Sequence, residues 1–579
     1  MLFYIFFFIF AALGIVSIQM LEWFKKKFGC TFQETMYTIA SPMGGADASF
    51  MLDCFWYSRV CIVIFLAVFI VVVAADNSDP LMHAIGMTFS DESYMDEFAY
   101  VHVMMHGRAI YRWCCMILGI ALVIYQIIQT DKVMGIFEYF KMRLSRTDLY
   151  DKYYVAPESV KITFEDQDRN TFDELYSTTE KEKSRITIIS NKRTESNESL
   201  KKINSIDSAK ELKNKRPKNL IYIYMESMES TYSSAAEGGY QGENNYIPNL
   251  TKMAKDNVSF SEDEKLGGFH TVPGTQWTMA ALFGTQAGVP NSFPLKYVAK
   301  DPKDYAAGIK TLGDVLHEKG YEQEFLCGSK AGFGGRASFF KTHGNFNIFD
   351  YDSAVEKGYI EKGYKVWWGF EDSILYKCAK DELTNLAAKG KPFNFTMLTV
   401  DTHHIDGYIC DKCEHKHKDR IANVLECADR QIQEFIEWCK EQDFMKDTVI
   451  VITGDHPRMD KSIVGHVDYY DRTVYNCFIG VDNESTFGSV CGNTSDSIND
   501  TSAEKENMNA YNIMKNREFL HFDIFPTVLS ALGFKIEGER LGLGTNLFSG
   551  KKTLCEEKGF KYMRDESFKY SDKYVKDFE

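Results

Sequence analysis

The chain reads as an α/β protein, a domain on a mostly parallel central sheet preceded by membrane-anchoring N-terminal helices. Three observations carry that expectation. From residue 219 onward, apolar strand-like runs alternate with helical stretches, as strands joined by crossover helices do. Before them lie three long uncharged segments within residues 1–135. Several of the later apolar runs stop at Glu, Asp or His, at the strand ends where open α/β sheets bind their ligands.

Taken in order, residues 1–21 carry no charge, 60–75 follow Arg59 as a continuous apolar run, and 113–130 follow Arg112 without a charge. They predict transmembrane helices over 1–21, 56–75 and 113–130. The first lacks the basic start and small-residue cleavage site of a signal peptide. Lys25, Lys26 and Lys27 after the first span point to the cytoplasm by the positive-inside rule, which would leave the large domain there too. Lys132, Lys141, Arg143 and Arg146 after the third span give a mixed signal, and charge alone does not settle the topology. Residues 136–218 read as a juxtamembrane segment ending near Tyr153-Tyr-Val-Ala-Pro, then a linker dense in Lys, Glu, Asp, Ser and Asn. Residues 219–579 read as the large globular domain.

In that domain the expected strands are 220–225, 324–327, 393–400 and 449–453, and the expected helices 311–319, 372–388 and 421–440. Asn219-Leu-Ile-Tyr-Ile-Tyr-Met-Glu226 is a buried-strand pattern that delivers a carboxylate. Thr448-Val-Ile-Val-Ile-Thr-Gly454-Asp455-His456 delivers an adjacent Asp and His, which converge on an ion only in the turn beyond a strand. Phe395-Thr-Met-Leu-Thr-Val-Asp401-Thr402-His403-His404 does the same with polar groups. Pro273 and Gly274 break the chain before good helix formers, so Thr275 and Thr278 fall at a helix start, where the plain role is an N-cap. Glu, Asp and one His suit a borderline or hard cation such as Mn²⁺ or Zn²⁺. A threonine hydroxyl coordinated to such a cation becomes a nucleophile. Phe333-Gly-Gly-Arg336 offers a guanidinium for a phosphoryl group, although a lone arginine is ordinarily a surface ion-pair residue. The net charge of -15 and pI near 5.5 argue against a nucleic-acid partner.

These motifs, with Pro273-Gly-Thr275-Gln-Trp-Thr278-Met-Ala, Asp401-Thr-His403-His404-Ile-Asp-Gly and His521-Phe-Asp523-Ile-Phe-Pro526-Thr527, resemble the phosphoglycerol transferase and lipoteichoic acid synthase family of the alkaline phosphatase and sulfatase superfamily, over about 216–550. The resemblance implies a sulfatase-like domain with a manganese site of Glu226, Thr275, Asp455 and His456, magnesium or zinc being the alternatives. It implies Thr275 as nucleophile, and His403, Arg336, Trp367 and Thr278 around the substrate. It implies a phosphatidylglycerol donor in the membrane lipid, a glycan, glycolipid or teichoic acid acceptor, and a multi-pass cell-membrane protein with its catalytic domain outside the cytoplasm. Sulfatases carry Cys or Ser followed by x-Pro-Ser-Arg; here Thr275 stands first and Met279 where the Arg would be, against sulfate esters. The alternatives are a phosphoethanolamine transferase on the same fold, or a catalytically silent lipid-binding sensor, against which a full ligand set with a hydroxyl argues. Cys410-Asp-Lys-Cys413-Glu-His415-Lys-His417 has the spacing of a metal knuckle. In an extracytoplasmic domain a loop disulfide, Cys413 with Cys427 or Cys410 with Cys413, is the favoured expectation.

Overall fold

The computed structural model describes residues 145–164, 218–291, 305–366, 368–460, 462–481, 513–567 and 569–578. The three expected membrane helices, nearly all of the charged linker and Trp367 lie outside the described residues. Among the described residues no helix is long and apolar enough to cross a membrane.

The strands of three or more residues are β1 (Ile162–Phe164), β2 (Asn219–Met225), β3 (Glu322–Cys327), β4 (Asn347–Phe349), β5 (Phe393–Leu398), β6 (Thr448–Gly454), β7 (Asn476–Ile479) and β8 (Phe534–Ile536). Six of them form the central sheet in the order β4-β3-β5-β2-β6-β7, parallel throughout except for the edge strand β7, which runs antiparallel to β6. β2 is buried along its length after Asn219, and its side chains alternate between two cores. Leu220, Tyr222 and Tyr224 join Val449 and Val451 on one face; Ile221, Ile223 and Met225 join Phe395, Met397, Ile450 and Ile452 on the other. A strand covered on both faces has no polar side to show, hence the unbroken apolar run in the sequence.

Seven helices matter for the site: α1 (Pro248–Asp256), α2 (Thr278–Ala287), α3 (Leu312–Glu318), α4 (Arg336–Thr342), α5 (Asp372–Ala388), α6 (Arg420–Lys440) and α7 (His521–Ala531). Leu282 and Phe283 of α2 and Phe522 and Phe525 of α7 cover the first face, and Leu375 and Leu383 of α5 with Leu425, Ile432 and Phe435 of α6 cover the second. α3 begins with a reciprocal capping box between Thr311 and Asp314.

The structure departs from the expected elements in several places. The short parallel strand β4 and the antiparallel β7 complete the sheet, and β5 ends at Leu398, where residues 399–404 turn away to carry polar groups. The second compact unit runs Ser145–Glu579, so it takes in the stretch 145–164 that the sequence groups with the juxtamembrane segment. There β1 pairs antiparallel with β8, Ile162 opposite Ile536, and Tyr150 is buried against Tyr574 with ring centroids 4.9 Å apart.

Candidate active site

β2 and β6 are parallel neighbours with Met225 opposite Gly454, so Glu226 and Asp455 leave the sheet side by side at its carboxyl edge. Gly454 is required there: a Cβ would stand 2.0 Å from the Met228 carbonyl oxygen. Beyond it, Asp455 Oδ1 accepts hydrogen bonds from the backbone N–H groups of Ser227 at 2.7 Å and His456 at 2.8 Å. His456 Nδ1 lies 2.9 Å from the Pro457 carbonyl, which fixes that nitrogen as the donor and leaves Nε2 to face the carboxylates. Nε2 is 3.4 Å from Asp455 Oδ2 and 3.7 Å from Glu226 Oε1. Ligand atoms of Glu226, Asp455 and His456 all lie within 4.8 Å of one another, and all three residues are buried.

Charge in this cluster is under tension. Burial, and then the neighbouring Glu226, push Asp455 up to about 7. Burial pushes Glu226 up as well, but His403, His456 and the Ser227 hydroxyl at 2.7 Å outweigh it and hold the carboxyl below its usual range. For His456 burial works against the charged form, and Asp455 with Glu226 overcome it. Asp455 Oδ2 is buried and accepts no hydrogen bond in the described structure. A buried carboxylate oxygen without a donor, facing an imidazole nitrogen and a second carboxylate, fits a divalent cation bound among them.

The hydroxyl that joins this cluster is Thr278's. Its Oγ1 donates to Glu226 Oε2 at 3.2 Å and lies 3.5 Å from His456 Nε2. Thr275 is placed otherwise than the sequence reading expects. Gly274 takes a left-handed φ of 86°, the turn closes from Thr275 N–H to the Val272 carbonyl at 3.0 Å, and the Thr275 hydroxyl donates back to that carbonyl at 2.8 Å. Thr275 is wholly buried, while Thr278, first residue of α2, is half-buried and open to a substrate. Counting residues from Pro273 does not reveal which hydroxyl a left-handed turn aims at the sheet.

His403 sits on the loop after β5. Its ring centroid lies 4.9 Å from that of Trp368 with the planes tilted by 58°, and its Nδ1 is 2.6 Å from the His404 carbonyl. Burial lowers its pKa, with Glu226 pulling the other way. Trp368 stands beside His403, while Trp367, the residue the sequence reading names, lies outside the described residues. Arg336 is no surface ion-pair residue: it is buried, and its Nε and Nη2 hold Phe333 O, Ser329 Oγ and Lys330 O at 2.9–3.0 Å. Its loop comes close to α2, since a Cβ on Gly334 would meet Met279 Cβ at 3.9 Å.

Sequence reasoning missed the ionic network behind the cluster. Glu229, fully buried, accepts from Arg472 Nη2 at 2.5 Å and from the Arg458 N–H at 2.7 Å. Arg458 in turn pairs with Asp460 and donates to the Thr402 carbonyl at 3.2 Å. These residues bind together the loops after β2, β5 and β6, and their nearness in sequence to Glu226 and to Asp455-His456 is the one signal that could have found them.

The family model described as Sulfatase matches residues 218–534. Phosphoglycerol transferase I of Salmonella choleraesuis (strain SC-B67) is 32% identical over 263 residues, 44% of this chain and 33% of that protein. Phosphoglycerol transferase I of Salmonella typhi is 31% identical over the same shares, so the chain spans about a third of the length of these relatives. Among solved structures, the lipoteichoic acid synthase LtaP from Listeria monocytogenes aligns with a TM-score of 0.42 at 18% identity, over 58% of this chain and 76% of that one. An alkaline phosphatase superfamily protein from Vibrio parahaemolyticus aligns with a TM-score of 0.40 at 21% identity, over 55% and 67%.

Proposed function

Because the chain belongs to the sulfatase family, we propose that it is a membrane-anchored, metal-dependent phosphotransferase that moves glycerol phosphate from phosphatidylglycerol to a hydroxyl of a cell-envelope glycan, glycolipid or teichoic acid. The observation that carries this reading is the convergence of the Thr278 hydroxyl with Glu226, Asp455 and His456 at the carboxyl edge of the sheet. Its specificity for glycerol phosphate leans on the similarity to phosphoglycerol transferase I.

Glu226, Asp455, His456 and Thr278 would hold a divalent cation, manganese in this reading with magnesium or zinc as alternatives. A cation held there would lower the pKa of the threonine hydroxyl and offset the charge on the phosphoryl oxygens. Thr278 Oγ1 then attacks the phosphorus of the donor diester. The bond from phosphorus to the diacylglycerol oxygen breaks, that oxygen takes up the proton the Thr278 hydroxyl gives up, and the glycerophosphoryl group remains on Thr278. In the second half the acceptor hydroxyl attacks the same phosphorus, and the bond to Thr278 breaks. His403 has Nδ1 engaged with a carbonyl and burial keeps it neutral, so Nε2 is the acceptor for the incoming hydroxyl's proton. Arg336 orders the loop beside α2 through three short bonds and shapes the phosphate side of the site.

The catalytic unit lies outside the cytoplasm in this reading, overriding the Lys25–Lys27 signal, with residues 1–135 as the anchor and 136–218 as the connecting segment. The full chain in vesicles containing head-group-labelled phosphatidylglycerol should release diacylglycerol when a divalent cation is supplied. Release from phosphatidylethanolamine instead would move the activity to phosphoethanolamine transfer. Turnover of neither lipid, in protein that binds its cation, would favour the silent sensor.

A further inference from the structure

The loop leaving β5 runs past His403, through Cys410-Asp-Lys-Cys413, and into α6, which carries Cys427 two turns in. Cys410 Sγ lies 3.7 Å from Cys413 Sγ and 3.7 Å from Cys427 Sγ, and the three sulfurs fall within 4.8 Å of one another. Cys410 and Cys427 are buried and Cys413 partly so. The loop disulfide expected from the sequence is not formed: every described cysteine is free.

We propose that Cys410, Cys413 and Cys427 form a site for a thiophilic cation, zinc in the first instance, distinct from the Glu226–Asp455–His456 cluster. The spacing matches that ion. Four ligands arranged tetrahedrally at a Zn–S distance near 2.3 Å stand about 3.8 Å apart. The count of thiols points the same way. One disulfide would use two of them and leave the third reduced beside it, open to thiol–disulfide exchange, whereas a cation uses all three.

The chain around the sulfurs is also built to hold thiolates. The Cys413 N–H closes a turn on the Cys410 carbonyl at 3.0 Å, and the backbone N–H groups of Lys412 and Cys413 face the Cys410 sulfur. One turn along α6 from Cys427, Gln431 Nε2 lies 3.5 Å from the Cys427 sulfur; Gln431 itself is buried. Donors placed on ligating sulfurs orient them and offset their charge. No fourth Cys, His, Asp or Glu atom among the described residues shares the cluster, so a water completes the tetrahedron, reached past the half-exposed Cys413. The cation would bind the loop that carries His403 to α6, making the three cysteines positioning residues for the site and not part of its chemistry.

The test reads metal directly. Full-length protein purified without chelator is compared with Asp455→Asn, Cys427→Ser and Cys413→Ser by elemental analysis, and by the charge-transfer absorption of thiolate-bound cobalt after exchange. Asp455→Asn should keep one thiol-bound zinc per chain and, with cobalt, the thiolate band. Cys427→Ser should lose both. Cys413→Ser, at the least buried of the three, should lose them with its circular dichroism unchanged, which separates ligand loss from misfolding. Zinc content unchanged by both cysteine substitutions would overturn the proposal. So would a mass two hydrogens short, tracing to a disulfide among these residues in protein isolated without oxidant.

Discussion

Thr278 and Thr275 are three positions apart, and the two hydroxyls have different work to do. Thr278 Oγ1 shares Glu226 and His456 and is open to a substrate, so Thr278→Ala should lower turnover by several orders of magnitude while leaving the fold intact. Thr275 spends its hydroxyl on the Val272 backbone, which donates to it at 3.1 Å and accepts from it at 2.8 Å; Thr275→Ala should cost about 1 kcal/mol of stability and retain activity. Mass spectrometry of protein held with donor but no acceptor should find the glycerophosphoryl adduct in Thr275→Ala and not in Thr278→Ala. The opposite result would return the nucleophile to Thr275. Asp455 invites a cleaner metal test than truncation. Asn at 455 keeps an oxygen for the Ser227 and His456 N–H groups, so Asp455→Asn should fold normally yet lose cation affinity and activity together. Full occupancy by elemental analysis, with the charge gone, would remove Asp455 from the ligand set.

At the scale of elements, the seat of α2 on the sheet decides where Thr278 points. Tyr224 of β2 sends its hydroxyl to Thr285 at 2.7 Å and accepts from Gln286 Nε2 at 3.1 Å, all three in a dry interior. Tyr224→Phe leaves Thr285 and Gln286 with less to bond, and should cost about 1–3 kcal/mol in denaturant unfolding. Turnover should fall with it as α2 loosens; unchanged stability would show that water or a side-chain shift replaces the hydroxyl. The same strand shows why much of the fold is legible in sequence. β2 and β6 are buried on both faces, so each announces itself as an apolar run with the candidate ligands directly after it, while β5, equally buried, breaks its run with Asn394 and Thr396. α5 is read with its bounds unchanged as Asp372–Ala388, and α6 is read one residue short. β4 and β7, three and four residues long, pass below that signal. The order of the two threonines and the Glu229–Arg472 pairing depend on a turn and on contacts more than 200 residues apart in sequence. Periodicity does not carry that information.

On the scale of the whole chain, the folded unit begins at Ser145, well before the first strand of the central sheet. Leu149 and Tyr150 are buried, Tyr150 packs against Tyr574 and Phe578, Val155 bridges to Gly542, and β1 pairs with β8. Full burial of a side chain of this size contributes about 1.5–3 kcal/mol, so two of them with a strand pairing hold 145–164 in place without a covalent tether. The charged stretch that follows is the expected site of proteolysis. Protease added to intact protoplasts should cut between residues 165 and 217 if the catalytic unit is outside the cytoplasm. The nicked domain should nevertheless stay with the membrane, because residues 145–164 remain continuous with the N-terminal region and docked on 534–578. Mild denaturant, or Tyr150→Ala, which removes a buried ring at a cost of about 3–5 kcal/mol, should release it after the same cut. Protection of the chain until the cells are lysed would place the domain in the cytoplasm with Lys25–Lys27. Release of the nicked wild-type domain without denaturant would mean that the 145–164 segment does not hold it.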